Sequence, residues 1–204
     1  MTTQTSLRLR DLKSEYQQLW NSCIIKPENV NQIQEIVATI SSNRPRYLGV
    51  QKTINVPWYF IAVIHNMEST LKFTRHLHNG DSLKKRTVNI PVARPAQAPI
   101  NGWQVGYTWE ESAIDALTLK DFDKVKDWSL AAQLWQLERY NGFGYRQYHP
   151  EVLTPYLWSG TNLYTQGKYT ADGQWDGEAV STQTGVVALL KILIREENLQ
   201  INIA

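Results

Sequence analysis

The chain has 204 residues, 42% of them hydrophobic and 20% charged, and a formal net charge of +2. This composition excludes a disordered polymer, the charge is too small for the basic stripe of a nucleic-acid binder, and the single cysteine, Cys23, excludes a disulfide framework or a multi-cysteine zinc site. No apolar run approaches the ~20 residues a membrane helix needs, and Met1–Arg10 lacks the basic start and apolar stretch of a secretory signal, so the expectation is synthesis in the cytoplasm without a visible export tag.

Leu9, Leu12, Tyr16, Leu19 and Trp20 recur at helical spacing, and Pro27-Glu28-Asn29 opens a second amphipathic run through Val30, Ile33, Ile36, Val37 and Ile40. Ser41 to Pro45 reads as a breaker. Residues 1–45 are therefore expected to form an N-terminal helical hairpin packed on a body of residues 46–204. Pro57 then begins a helix whose stretch Trp58–Ile64 is apolar on every side, the mark of a buried helix, and which closes on His65-Asn66-Met67-Glu68-Ser69. Between Thr74 and Val92 the character changes. His78-Asn79-Gly80-Asp81 is turn chemistry and Arg86–Ile90 alternates like a strand, which predicts a small β-wing. Three prolines (Pro91, Pro95, Pro99) follow in an exposed irregular loop. Thr108 and Glu111 fit a capping box at the start of another helix, Ser129–Arg139 predicts one more, and Gly142 and Gly144 break it. Tyr148–Tyr169 reads as a structured, ligand-facing loop, Asp172-Gly173 as a turn, and Thr184–Glu197 as a last apolar helix. The expected fold is mainly α, with a buried central helix, a small β-wing and surrounding helices.

Eight Trp and ten Tyr stand against four Phe. Rings with an apolar face and a polar handle serve equally in cores and in clefts that grip sugars. Glu68 is the leading candidate for chemistry. A carboxyl at the end of an all-apolar helix sits in a low-dielectric setting that favours its protonated form, and glycosidic cleavage needs such an acid to protonate the leaving oxygen. Asp81, thirteen residues on, is a candidate second acid and equally an ordinary turn residue. The hydroxyls of Ser69 and Thr87 could position a water. His65 with Glu68, followed by His76 and His78, offers a weaker metal alternative. No nucleophile elbow and no phosphate-binding loop is present, and no cofactor is expected.

Ile61-Ala62-Val63-Ile64-His65-Asn66-Met67-Glu68-Ser69 resembles the helix that ends in the catalytic Glu-Ser of goose-type lysozymes and soluble lytic transglycosylases. Leu137-Glu138-Arg139-Tyr140-Asn141-Gly142-Phe143-Gly144, about seventy residues later, resembles the same families' Tyr-Asn-containing motif, in the right order. The turn His76–Asp81 also resembles one shared by a bacterial group of lysozyme-like proteins. The resemblance spans roughly residues 46–170. It implies a lysozyme-like fold, Glu68 as general acid, Ser69 as a local organiser, and Tyr140 and Asn141 at the sugar site. The longer wing with His76, His78 and Asp81, and the reading Tyr-Asn-Gly-Phe-Gly, depart from the family pattern.

The expectation that follows is a muramidase cleaving the β-1,4 bond between N-acetylmuramic acid and N-acetylglucosamine, either by hydrolysis with catalytic Glu68 and Asp81 or as a lytic transglycosylase using Glu68 alone. Ser69, His78, Thr87, Tyr140, Asn141, Tyr145, Tyr156, Trp158 and Tyr164 are expected to bind substrate. Its partner would be peptidoglycan or a related amino-sugar polymer, reached after lysis, with a phage-like particle, or through a secretion machine. Three alternatives stand beside it. One is a chitosanase or chitinase using Glu110, Glu111 and Asp115. Another is a non-catalytic wall-binding component, and the third a metal-dependent wall amidase using His65, His76 and His78.

Overall fold

The computed structural model describes residues 6–203, so Met1–Thr5 and Ala204 lie outside the account that follows. In chain order the helices are α1 (Leu9–Ser22), α2 (Val30–Ser42), α3 (Arg44–Ile54), α4 (Trp58–Ser69), α5 (Trp109–Leu119), α6 (Leu130–Asn141), the short α7 (Gly144–Tyr148) and α8 (Pro155–Trp158), and α9 (Val186–Glu196). Strands β1 (Lys168–Ala171) and β2 (Gln174–Asp176) make a two-stranded antiparallel sheet in which Tyr169 faces Trp175. The protein is thus mainly α with a small β part.

The chain divides into two compact units, one joining Met1–Val37 to Asp127–Ala204 and the other comprising Ala38–Lys126. The first is called the terminal unit below, and the second the central unit. The division falls inside α2, not at Pro45 as the helical-hairpin reading expects. The reason lies in α1. Its buried stripe Leu12, Tyr16 and Trp20, spaced by four residues, is the apolar face of an amphipathic helix, and it packs along α6, far away in sequence. The predicted breaker also shrinks. Only Asn43 separates α2 from α3, and Pro45 sits within the first turn of α3, where a missing N–H costs nothing.

In the central unit α3 packs on α4 and α5. Every residue of α4 except Tyr59 and Glu68 is buried, as a helix apolar on all sides requires. Tyr47 meets Trp109 edge-on at 5.5 Å and Phe60 meets Phe122 at 5.2 Å, in the geometry aromatic quadrupoles favour. The capping box of α5 is present in full: Glu111 N–H donates to Thr108 Oγ1 at 3.2 Å, and Thr108 N–H donates back to the Glu111 carboxylate at 2.7 Å.

The β-wing is a correction. Residues 74–92 contain no strand, only an isolated bridge between Arg75 and Ser82. The amides of Val88 and Asn89, which a strand partner would need, are bonded to the Asp81 carboxylate instead. The sheet forms in the terminal unit, around the Asp172-Gly173 turn. The stretch expected to be a ligand-facing loop is partly interior: Trp158 and Tyr164 are 0% and 2% exposed, α8 lies within it, and other residues of it reach the surface.

Candidate functional site

Glu68 stands on the last turn of α4 and is half-buried, flanked by buried Met67 and Ser69. The helix stops immediately after it in an unusual way. Thr70 and Leu71 both have left-handed backbone, with φ of 50° and 58°, and their amides return to Asn66 and His65 carbonyls at 3.0 and 3.4 Å. Two consecutive non-glycine residues there cost conformational energy that surrounding contacts must offset. Ser69 donates its hydroxyl to the His65 carbonyl at 3.3 Å, which ties the same turn together. The His-Asn-Gly-Asp turn lies against this helix end. Gly80 has a φ of +77°, and a Cβ there would stand 3.1 Å from the Glu68 carbonyl oxygen, so a side chain would meet both backbone strain and a close neighbour.

Asp81, next in sequence, is the organiser of the following loop. Its Oδ2 accepts the amides of Val88 and Asn89 at 2.8 and 3.0 Å and the Asn79 side chain at 3.2 Å, while Oδ1 accepts from Asn89 Nδ2 at 2.7 Å. Burial pushes the Asp81 carboxyl up, but these donors outweigh it and hold the group below the usual carboxylate range. Thr87, buried, donates its hydroxyl to the Pro91 carbonyl and accepts from Arg94 N–H at 2.9 Å. Both side chains thus fix the course of residues 86–94.

Behind that loop lies a network the sequence did not suggest as a unit. Asp115 receives a bidentate Arg94 at 2.8 and 2.7 Å and the His78 Nε2–H at 2.8 Å. His76 donates from Nε2 to the Lys85 carbonyl at 2.9 Å, so its Nδ1 accepts from Ser112 Oγ at 2.8 Å. Ser112 has only one proton to give, so with that proton on the His76 contact its Oγ donates nothing to His78 Nδ1, 3.4 Å away. Burial lowers both histidines' affinity for protons, consistent with two neutral rings. His65 is separate, fully buried among Tyr47, Phe73 and Trp109, with Tyr47 Oη 3.0 Å from its Nδ1. Desolvation pulls its pKa down to about 4. Among the described residues no group of three or more His, Cys, Asp or Glu is arranged to hold a metal ion.

The carboxylates on which a chitosan-binding groove would depend are all engaged. Glu110 takes a bidentate Arg46 at 2.7 and 3.0 Å, Glu111 caps α5 and accepts the Ile100 amide at 2.7 Å, and Asp115 holds Arg94 and His78.

The terminal unit has its own cleft of about 380 Å³, lined by Asn141, Tyr145, Tyr156, Lys168, Tyr169 and Gln183 among others. Three residues expected at a sugar site, Asn141, Tyr145 and Tyr156, meet there. Tyr140 is half-buried on α6 and does not line it. Trp158 borders a second cavity of about 280 Å³ and Tyr164 a third cleft of about 370 Å³. Behind the first cleft stands an aromatic cluster missed in the sequence: Tyr169 meets Tyr145 and Trp175 edge-on at 5.4 and 5.3 Å, and His149 stacks on Trp175 at 3.5 Å. The second cavity exposes another unforeseen group. Glu138, 2% exposed, accepts the Tyr16 hydroxyl at 2.6 Å and pairs with Arg146 Nε at 2.8 Å, and Arg146 Nη1 reaches Glu15 at 2.8 Å.

Comparison with known proteins returned no relative: no family model matches the chain, and no curated protein or solved structure matches it.

Proposed function

We propose that the chain is a glycosidase of the muramidase type, cutting the β-1,4 bond between N-acetylmuramic acid and N-acetylglucosamine in peptidoglycan, with Glu68 as the general acid. The observation that carries this reading is the end of α4. A helix buried almost throughout emerges at a single carboxyl group, and the turn holding that carboxyl is locked by two left-handed residues and by the close approach of Gly80. Strain of this kind persists where the surroundings impose it, and it clusters at functional sites.

In the proposed reaction Glu68 gives its proton to the glycosidic oxygen as the C1–O bond breaks, leaving an oxocarbenium-like centre on the muramic acid ring. The centre is trapped by water, which yields a reducing end, or by the sugar's own C6 hydroxyl, which yields a 1,6-anhydro end. Either nucleophile returns a proton to the Glu68 carboxylate. Asp81, with both oxygens occupied by donors, acts as a fixed negative charge and loop anchor. The cleft bearing Asn141, Tyr145 and Tyr156 is the candidate sugar-binding surface of the terminal unit, since aromatic faces with amide and hydroxyl neighbours suit carbohydrate.

The test is digestion of purified peptidoglycan by wild type and Glu68→Gln, with products resolved by mass spectrometry. Muropeptides from wild type and none from Glu68→Gln are expected, because Gln keeps the shape and removes the proton. Equal digestion by both, or products cut at amide bonds, would overturn the reading. Wall binding without digestion would favour a non-catalytic wall component.

A further inference from the structure

The central unit carries a second feature that glycan cleavage does not use. Among the described residues eleven large hydrophobic side chains are exposed, and six of them fall between Val88 and Val105: Val88, Ile90, Val92, Ile100, Trp103 and Val105. Ile90 and Ile100 are 87% and 82% exposed; a single exposed apolar residue is ordinary, but six within one short stretch of sequence exceed that scatter. The charge of the same region is lopsided. From Thr70 to Thr108 lie six of the chain's 21 basic side chains, of which Arg94 is neutralised by Asp115, and one of its 19 acids. That acid is Asp81, already bonded to backbone amides.

The apolar and basic groups are interleaved in space as well as in sequence. The Arg86 guanidinium lies over the Trp103 ring at 5.3 Å, and Trp103 meets Tyr107 at 5.8 Å. Arg75, Lys84, Val105 and Tyr107 border one open cleft of about 400 Å³. Gly106 permits this arrangement: with φ at +86°, a Cβ there would fall 2.6 Å from the Leu83 carbonyl oxygen, so residues 83–84 and 105–106 touch backbone to backbone. The surface is held firmly from behind, through Glu111 on the Ile100 amide and Tyr107 N–H on the Leu83 carbonyl at 2.8 Å.

We propose that this face, residues 72–105 of the central unit, docks onto the surface of an anionic phospholipid bilayer. Isoleucine, valine and tryptophan side chains enter the boundary between headgroups and acyl chains, and Lys72, Arg75, Lys84 and Lys85 meet lipid phosphates. A soluble anionic polymer would satisfy the cations but gives Ile90 and Ile100 nothing apolar to enter. The bilayer satisfies both, and no spanning helix is required. The proposal is independent of glycosidase activity.

The experiment is co-sedimentation of the whole protein with vesicles of phosphatidylcholine alone and of phosphatidylcholine with about a third phosphatidylglycerol. Two variants, Ile90→Ser/Ile100→Ser and Lys84→Glu/Lys85→Glu, accompany wild type, with thermal melts as the folding control. Partition at least tenfold higher onto the anionic vesicles is expected for wild type, with each variant losing most of it while melting like wild type. No preference for anionic vesicles overturns the proposal. So does binding lost in the lysine variant but kept in the isoleucine variant, which means an anionic polymer site. Concentration-dependent dimerisation abolished by Ile90→Ser/Ile100→Ser also overturns it, because a second copy then covers the face.

Discussion

Two helices, one in each unit, bring a glutamate near their carboxyl ends, and the two side chains meet opposite fates. On α6, Glu138 is buried and surrounded by the Tyr16 hydroxyl and the Arg146 guanidinium, with Arg146 also held by Glu15. On α4, Glu68 remains half-buried at the helix end, beside a strained turn. Burial raises the Glu138 carboxyl above its ordinary range despite the Arg146 charge beside it. Burial fixes the Glu138 carboxyl among structural partners, whereas Glu68, half-buried on the last turn of α4, keeps part of its surface open to solvent. An apolar helix with a glutamate in its last turns is therefore not enough to define an acid catalyst; what faces the carboxyl decides.

The largest expected effect comes from exchanging the two roles. On the proposed reading, Glu68→Gln should lower peptidoglycan digestion by about 10²–10⁴-fold, the usual weight of a positioned acid, in protein that still melts cooperatively. Glu138→Gln should do the reverse, lowering the midpoint while the folded protein keeps its specific activity. A Glu138→Gln variant that is stable and inactive would break the contrast. Arg146→Met comes next. It leaves Glu138 buried without its counter-charge, which should cost about 3–5 kcal/mol in urea unfolding. The double variant Glu138→Gln/Arg146→Met should recover part of that loss, as coupled neighbours do.

The sequence made one glutamate legible and hid the other for a physical reason. Glu68 lies one helical turn beyond the apolar run Trp58–Ile64, which is a local signal. Glu138 takes its character from Tyr16, 122 positions away, and nothing local announces that contact. The same division holds across the fold. The start of α5 is legible because Thr108 and Glu111 bond to one another within one turn. Helix α3 is not, because only Tyr47 and Val50 of its eleven residues are buried, too few to set a period. The alternation of Arg86–Ile90 is misleading because Asp81 captures the amides that would have paired. At the cleft of the terminal unit Asn141 is expected only through the Tyr-Asn resemblance and Tyr145 and Tyr156 as candidate groove aromatics, whereas Lys168 and Tyr169 arrive through the β1–β2 hairpin, whose placement the sequence does not state.

The histidines sharpen the contrast through pH. His65, with a pKa near 4 against an ordinary 6.5, binds fewer protons folded than unfolded. Its contribution is constant above pH 6.5 and is lost as pH falls from 6.5 toward 4, a loss of about 3 kcal/mol in all. His76 and His78 are lowered too and act in the same direction. Unfolding free energy measured by urea titration between pH 7 and 4 should therefore fall, and His65→Asn, starting from a lower value, should show a shallower slope. A flat profile for wild type would mean that the ring is hydrated in solution.

The smallest effect tests whether the cap of α5 serves the helix or the loop beyond it. Thr108→Ala removes one acceptor for the Glu111 amide and should cost about 1 kcal/mol. Glu111→Ala removes more, because its carboxylate accepts from the Thr108 amide and hydroxyl and also from the Ile100 amide. Burial raises the Glu111 carboxyl, but the Ile100 and Thr108 amides outweigh it and hold the group low, so its contribution is present at neutral pH and fades as pH falls through the carboxylate range. If the cap serves only the helix, hydrogen exchange should accelerate in the first turn of α5 alone in both variants. If Glu111 also fixes the exposed apolar face, Glu111→Ala should in addition speed exchange at Ile100 and weaken vesicle binding, and Thr108→Ala should do neither.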